Sequence, residues 1–385
     1  MIKFGCRSSL VYPSLFILFL FIRRIIKYIL EEIIAKQTLP YLMVSLIFLF
    51  ETIIASLLLC NQERKNDSSR ESNFLGISFG KNVDVLVRPD SNFKIIILLF
   101  FGAYFEVAGS LCRRFQIVRD KSKNNIYELF QSKYRSSDII ISSILCYFTL
   151  KTKIYNHHKF SLIIVSICLI LVITNEFIMP RLTNKIILYI IGLTLTSSIC
   201  RTFSDTIEKY LFDIDYLDIF KLMIFEDLIS FVFSINLFWL DKPKNDIKFL
   251  IDINDNLRLF AVIGLLIVYS ILSGFKNLYR RYTIKTFTPM ARALSESILD
   301  PFFIIFEYVE RKEENNITSF IIVLICSFLM IFCSCVYNEV LVLYCCGLEK
   351  NTFLAILSQN IIKSLELSKD SDIIWIDEIC DDNSD

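Results

Sequence analysis

Glycine, proline and histidine are scarce in this sequence, and their scarcity excludes several classes of protein. Of 385 residues, 9 are glycine, 7 are proline and 2 are histidine. No glycine-rich loop ends in Lys-Ser or Lys-Thr, which excludes ATP hydrolysis at a P-loop as a driving force. The histidines, His157 and His158, are adjacent, and adjacent side chains point apart on a helix. The sequence therefore predicts no catalytic or metal-binding histidine site.

An excess of charge of one sign is also missing, and the cysteines lack the spacing of ligands. The 41 basic and 40 acidic residues nearly cancel, so no overall field would attract nucleic acid. Cys345 and Cys346 are adjacent, which offers no zinc spacing. Seven other cysteines lie inside apolar runs: Cys60, Cys112, Cys168, Cys200, Cys326, Cys333 and Cys335. We interpret them as small packing residues, and we predict no metal and no cofactor.

Apolar residues are abundant, in contrast. Hydrophobic residues make up 54% of the chain, which includes 35 phenylalanines, and the mean hydropathy is +0.54. Ordinary soluble domains contain roughly 45 to 50% apolar residues. The composition therefore predicts an integral multi-pass membrane protein, with the lipid bilayer as a partner.

A membrane-spanning helix needs about 20 mostly apolar residues, and about ten such runs are present. The predicted spans are Leu10 to Leu30, Leu39 to Cys60, Phe93 to Cys112, Tyr134 to Leu150, Phe160 to Phe177, Lys185 to Tyr210, Ile219 to Leu240, Leu257 to Leu278, Thr288 to Val309 and Ser319 to Leu343. The predicted fold is an all-α polytopic membrane protein.

The spans divide the chain into three regions. Residues 1–178 and 179–348 each hold five predicted helices, and residues 349–385 form a tail that ends in an acidic run. A polar loop is predicted at about 61–91. The run from Ser161 to Cys168 matches the run from Ser319 to Cys326 at six of eight positions, at an offset of 158 residues. Either isoleucine-rich segments match by chance, or the two halves are inverted five-helix repeats, as in many transporters.

The ninth run carries charges that lipid does not tolerate. An ionised side chain near the middle of a bilayer costs at least about 2.5 to 3.5 kcal/mol, so such residues are functional candidates. Arg292, Glu296 and Asp300 recur every four positions and should share one helical face. They form either a ladder that neutralises itself, or the wall of a polar cavity in which Arg292 binds an anionic ligand.

Other intramembrane charges are further candidates for substrate binding or coupling. Arg135 and Asp138 share a face of the fourth run, where Arg135 could instead extend to the membrane surface. In the sixth run Arg201, Asp205 and Lys209 follow one another at spacings of four, so they could line the cavity or pair at the membrane face. In the seventh run at least one of the adjacent Glu226 and Asp227 should face protein and not lipid. The remaining candidates are Glu106 in the third run and Asn338 in the tenth.

Several segments resemble the drug/metabolite transporter superfamily, in its solute carrier family 35 branch, which includes nucleotide-sugar transporters. The segment from Tyr134 to Ile154 and the run that follows it resemble the fourth and fifth helices of that family. Phe220-Lys-Leu-Met-Ile-Phe-Glu226 resembles its seventh helix, and Phe287-Thr-Pro-Met-Ala-Arg292 resembles its ninth. Cys335-Val-Tyr-Asn-Glu339 resembles the end of its tenth helix.

This resemblance implies ten helices in two inverted repeats, alternating access, and residence in the Golgi, the endoplasmic reticulum or another internal membrane. Characterised nucleotide-sugar carriers have a signature of Asn and Lys on the ninth helix, where this chain has Arg292, Glu296 and Asp300.

We therefore expect a transporter of a small anionic or phosphorylated metabolite and not an enzyme, acting by antiport or proton coupling. Arg292 would hold the anion, and Asp138, Glu296 and Asp300 would set selectivity. A homodimer is a further possibility. Two alternatives stay open: a membrane-embedded enzyme acting on lipid-linked substrates, and a transporter-fold receptor or scaffold.

Overall fold

The apolar runs are helical in the computed structural model. It describes residues 11–33, 40–72, 92–115, 137–152, 154–178, 184–213, 217–240, 256–310, 317–341 and 352. The helices are α1 (Val11–Ile33), α2 (Pro40–Ser72), α3 (Asn92–Phe115), α4 (Ser137–Thr149), α5 (Asn156–Ile178), α6 (Asn184–Asp213), α7 (Ile219–Leu240), α8 (Asn256–Thr286), α9 (Pro289–Ser297), α10 (Asp300–Glu310) and α11 (Ile317–Tyr337). No strand occurs in these ranges, and the all-α prediction is confirmed for them.

Several predicted boundaries differ from the structure. Helix α2 continues to Ser72, so the first part of the polar loop predicted at 61–91 is helical. Helix α8 continues beyond Leu278 to Thr286. The ninth run, predicted as one helix, forms α9 and α10 with a turn at residues 298–299. Residues 73–91, Arg135 and all of the 349–385 tail except Thr352 lie outside the described residues.

Proline explains why the ninth run divides into two helices. Thr288 caps α9, because its hydroxyl accepts a hydrogen bond from the backbone N–H of Ala291 at 3.2 Å. Pro289 follows at the first helical position, where its missing N–H has no cost. Pro301 has no N–H for the carbonyl of Ser297, and its ring would clash with that carbonyl in a continuous helix. The chain therefore turns before Pro301 and begins α10 at Asp300.

Six of the helices are long and apolar enough to cross a membrane by length and composition. They correspond to α2, α3, α5, α6, α8 and α11. Large apolar side chains are exposed on the surface, for example Phe93 at 74%, Leu257 at 82% and Phe260 at 81%. This arrangement is compatible with a multi-pass membrane protein, because lipid takes the place of water around the apolar side chains.

The helices pack in pairs taken from distant parts of the chain. Helix α1 packs against α8, α2 against α7, α3 against α6, and α5 against α11. An apolar core between α5 and α11 includes Cys168, Cys326 and Cys333. The prediction that cysteines inside apolar runs serve as small packing residues is confirmed for these three.

Candidate functional site

Charged side chains collect in the interior of the helix bundle. Among the described residues, nine buried carboxylates and five buried cations are each less than a tenth exposed. The carboxylates are Glu51, Glu106, Asp138, Asp205, Glu208, Glu226, Asp227, Glu296 and Asp300, and the cations are Arg201, Lys276, Arg280, Arg281 and Arg292. Burying an ion without a partner costs several kcal/mol, so their pairing determines what the site can do.

Arg292 on α9 lies at the meeting point of three helices. Its guanidinium is fully buried and donates hydrogen bonds to Asp138 on α4 at 3.0 Å and to Glu296 on its own helix at 3.3 Å. It also forms an ion pair with Asp205 on α6, although the two atoms are not aligned as a hydrogen bond. The predicted ladder with Glu296 is present, and partners from two other helices complete it.

Glu296 and Asp300 have different partners, because the turn at 298–299 separates them. Glu296 accepts two hydrogen bonds from Arg201 on α6 in a bidentate arrangement, which is the strongest geometry for this pair of groups. Asp300 lies 3.4 Å from the guanidinium of Arg24 on α1. The three residues therefore lie on two helices, with Arg292 and Glu296 on α9 and Asp300 at the start of α10, where the sequence predicted one helix.

Two adjacent arginines on α8 form the second half of the network. Arg280 contacts Glu106 at 3.0 Å, Asp205 at 3.2 Å and Glu208 at 2.6 Å. Arg281 contacts Glu208 at 2.9 Å. Its other partners lie on α7, namely Glu226 at 3.1 Å and Asp227 at 2.8 Å. Asp205 contacts both Arg280 and Arg292 and so joins the two halves of the network.

The other predicted candidates have local roles or lie outside the described residues. Lys209 forms an ion pair with Asp213 at 3.1 Å, where Asp213 is half exposed. Asp205, four residues earlier, is fully buried and forms its ion pairs with Arg280 and Arg292. Asn338 hydrogen-bonds the carbonyl of Ser334 at the end of α11. Arg135 lies outside the described residues.

Five network residues were not recognised as candidates from the sequence. They are Glu51, Glu208, Lys276, Arg280 and Arg281. The eighth span was predicted to end at Leu278, which assigned both arginines to a loop, whereas α8 continues to Thr286. Glu51 and Lys276 did carry a signal, since each is a charged residue inside a predicted apolar span.

Glu51 and Lys276 differ from the rest of the network, because neither has an ion pair with a described residue. Glu51 on α2 is fully buried and accepts a hydrogen bond from the amide of Asn277 on α8. Its second oxygen, Oε2, accepts no hydrogen bond from the described part of the chain. Lys276, beside Asn277, is 5% exposed and hydrogen-bonds no described residue. Arg23 on α1 lies close enough to Lys276 for the two positive charges to repel each other.

The two histidines converge, contrary to the prediction. Their ring centroids are 4.0 Å apart in the first turn of α5, where side chains can turn toward each other around the helix end. The Nε2 atom of His157 lies 3.3 Å from Glu339, and the ring of His158 stacks on Tyr337 at 4.4 Å. Ligand atoms of His157, His158 and Glu339 lie within 4.8 Å of one another, so these residues could hold a metal ion.

No family model matches this chain, and neither does any curated protein. Twenty-two solved chains do match it. One of them, described as "Crystal structure of protein", is similar over 87% of this chain and 98% of its own length, with a TM-score of 0.50 and 10% sequence identity. The likeness shows the fold alone.

Proposed function

We propose that this chain is a secondary-active transporter of a small anionic metabolite, such as a phosphorylated or nucleotide-sugar-like compound. The observation that carries the proposal is the buried network of charge, to which both halves of the chain contribute. Charged residues inside a membrane bundle are costly and mark substrate or ion pathways. We further propose that the protein works in the Golgi, the endoplasmic reticulum or another internal membrane.

The packing of the helices supports two inverted five-helix repeats. In this proposal α1 to α5 correspond to α6, α7, α8, the α9–α10 pair and α11. If each helix is replaced by its counterpart in the other half, the contact of α1 with α8 becomes the contact of α6 with α3, and both contacts occur. The contacts of α2 with α7 and of α5 with α11 each join a helix to its own counterpart, so the replacement leaves them unchanged. An odd number of helices per repeat inverts the second repeat relative to the first.

Individual residues agree with this symmetry. At the offset of 158 residues, Asp138 corresponds to Glu296, and Arg292 contacts both carboxylates, at 3.0 and 3.3 Å. Cys168 corresponds to Cys326, and the two lie in one apolar core. Equivalent residues are expected to approach each other near a two-fold axis. The sequence match between the halves is therefore better explained by a repeat than by chance.

Shared carboxylates suit the network to alternating access. If the two repeats rock against each other, ion pairs between helices have to change partners. Asp205 already contacts Arg280 and Arg292, and Glu208 already contacts Arg280 and Arg281. When one arginine moves away from a shared carboxylate, the second arginine still compensates the negative charge. The cost of about 3 to 5 kcal/mol for breaking a buried pair is thereby avoided.

We propose that Lys276 and Arg23 bind the anionic group of the substrate. Arg292 is engaged by three carboxylates in this conformation, so its role in binding an anion stays a prediction. Lys276 has no carboxylate partner within the described ranges, and Arg23 donates to hydroxyls, namely Ser273 at 2.7 Å and Tyr269 at 2.6 Å. Two cations without carboxylate partners, on neighbouring helices α1 and α8, form a suitable site for an anion.

Counterflow in reconstituted vesicles tests this function. Vesicles loaded with an unlabelled compound are diluted into its labelled form, using nucleotide sugars, sugar phosphates, nucleotides, amino acids and cationic drugs in turn. We expect saturable exchange of one anionic class. Lys276→Met should weaken binding of that class by roughly 10- to 100-fold, since a hydrogen bond to a charged group contributes about 1.5 to 3 kcal/mol.

Lys221→Met provides the matched control, because Lys221 is exposed on α7 and should exchange substrate as the unchanged protein does. Each variant is checked for a monodisperse peak in size-exclusion chromatography before reconstitution. Exchange that resists Lys276→Met but is lost in Arg292→Lys would move the anion site to Arg292. A folded protein that exchanges none of the compounds would contradict the transporter proposal.

A further inference from the structure

Among the described residues, Glu51 is the buried carboxylate that forms no ion pair with an arginine. Each of the other eight buried carboxylates in the described residues contacts at least one arginine within 3.4 Å. Glu51 is fully buried, and its hydrogen-bond partner among the described residues is the amide of Asn277. Its Oε2 atom is buried and accepts no hydrogen bond from these residues. An ionised carboxylate in this position would bear the full cost of losing water.

Charged groups on three helices surround Glu51. They are Asp227 on α7, Glu106 on α3, and Lys276 and Arg281 on α8. Glu106 and Asp227 are already paired with Arg280 and Arg281. If Glu51 is ionised, its carboxylate would therefore pair with Lys276, because Lys276 is the cation in this group that has no ion pair with a described residue.

The backbone of α8 packs closely against Glu51. A Cβ atom on Gly274 would lie 2.6 Å from the Cδ1 atom of Ile54 and 3.5 Å from the Cγ atom of Glu51. A glycine at this position leaves room for both side chains. The α8 backbone therefore covers one side of Glu51, which is fully buried.

The balance of charge in the described part of the network also favours bound protons. Nine carboxylates are buried there against five cations. Buried carboxylates without a cation become neutral by binding a proton. An anionic substrate would increase the negative excess and so make proton uptake more favourable still.

We propose that Glu51 is the site at which a proton is carried together with the anionic substrate, an inference that rests on the transport function proposed above. Protonation converts the carboxylate of Glu51 to the neutral acid and leaves the ammonium of Lys276 available to the substrate anion. When the proton leaves to water on the other side, the Glu51 carboxylate pairs with Lys276 and displaces the anion. Proton and substrate binding strengthen each other equally, as linkage requires.

Infrared spectroscopy tests the protonation of Glu51 without any substrate. The purified protein, in a detergent that has no ester groups, is titrated with pH while the C=O stretching band of protonated carboxylic acids is recorded. We expect a band that persists at neutral pH and loses the intensity contributed by Glu51 in Glu51→Gln. Glu63→Gln, which changes an exposed carboxylate on the same helix, should keep the full intensity. A neutral-pH band that is absent, or that has the same intensity in Glu51→Gln, would overturn the proposal.

Uptake driven by a pH gradient tests the coupling. For the compound that unchanged vesicles exchange, uptake is compared with and without one pH unit of inward acid gradient. One proton per substrate supports accumulation of up to about tenfold, because a tenfold ratio corresponds to about 1.4 kcal/mol. In Glu51→Gln we expect the ratio with and without the gradient to fall to about 1. In Glu63→Gln it should stay at the value of the unchanged protein.

The results separate this inference from the function on which it rests. Exchange by the unchanged protein with a gradient ratio of about 1 would overturn proton coupling while leaving the transporter in place. A ratio that Glu51→Gln does not change would assign the proton to another carboxylate and overturn the role of Glu51. No exchange at all would remove both the transport function and the coupling.

Discussion

Removing Arg281 should destabilise the protein, and removing Asp227 at the same time should recover much of the loss. Both side chains are buried, with exposures of 1% and 0%. They form a bidentate pair, since Arg281 donates to the two oxygens of Asp227 at 2.8 and 3.0 Å. Truncation of either partner leaves the other charge buried and poorly compensated, at a cost of about 3 to 5 kcal/mol.

The two effects should not add. We expect the combined variant Arg281→Met and Asp227→Asn to lose about 2 to 3 kcal/mol less than the sum of the single losses, because neither charge is left without its partner. Equilibrium unfolding in mixed micelles, with SDS added to dodecyl maltoside and helix content followed by circular dichroism, measures each free energy. The double-mutant cycle compares four proteins: the unchanged protein, the two single variants and the combined variant.

A distant pair provides the control for this experiment. Asp300 forms its ion pair with Arg24 on α1 at 3.4 Å, whereas the ion-pair partners of Arg281 lie on α6 and α7. The losses in Arg281→Met and Asp300→Asn should therefore add within about 0.5 kcal/mol. Additive losses within the same margin for Arg281 and Asp227 would refute the reasoning, because the charges would then be stabilised independently of each other.

Two further substitutions test the packing of the helices and their ends. Gly102→Ala would bring a Cβ atom to 2.7 Å from the carboxylate of Glu226, and such crowding should cost about 1 to 3 kcal/mol in the same unfolding assay. Gly192→Ala is the control and should cost nothing, because its new Cβ atom meets nothing within 4 Å. An equal loss of stability in both variants would contradict the close approach of α3 to Glu226. Thr288→Ala removes the hydroxyl that caps α9 at Ala291 and should cost about 0.5 to 2 kcal/mol. Thr288→Ser keeps a hydroxyl and should retain stability. Equal stability of the alanine and serine variants would argue against the cap.

The positions of the helices could be predicted from the sequence, because lipid demands long apolar segments. Helix α7 has the bounds that were predicted, Ile219–Leu240. Helix α2 extends to Ser72, although its last residues are polar, since glutamine, glutamate, arginine and lysine are good helix formers outside an apolar environment. A search for apolar runs detects only the part of a helix that lipid requires.

The end of α8 was missed for a different reason. Tyr279 to Lys285 contains two adjacent arginines and looks like a loop at a membrane surface. Arg280 and Arg281 are nevertheless fully buried, because carboxylates on α3, α6 and α7 surround them. The cost of burying an arginine depends on partners that are more than 50 residues away in sequence, and a hydropathy pattern contains no information about them.

The same limit explains why the sequence favoured Arg292 over Glu51 and Lys276. Helical spacing identifies partners on one helix, and it correctly paired Arg292 with Glu296. It does not reveal Asp138 and Asp205, which occupy Arg292 from two other helices. Whether a buried charge is compensated is therefore a property of the tertiary structure. A transported ion or substrate needs charged groups that the protein itself has not already paired. Under the proposed function, Glu51 and Lys276 meet this condition better than Arg292, and the spacing of charges along one helix could not have shown it.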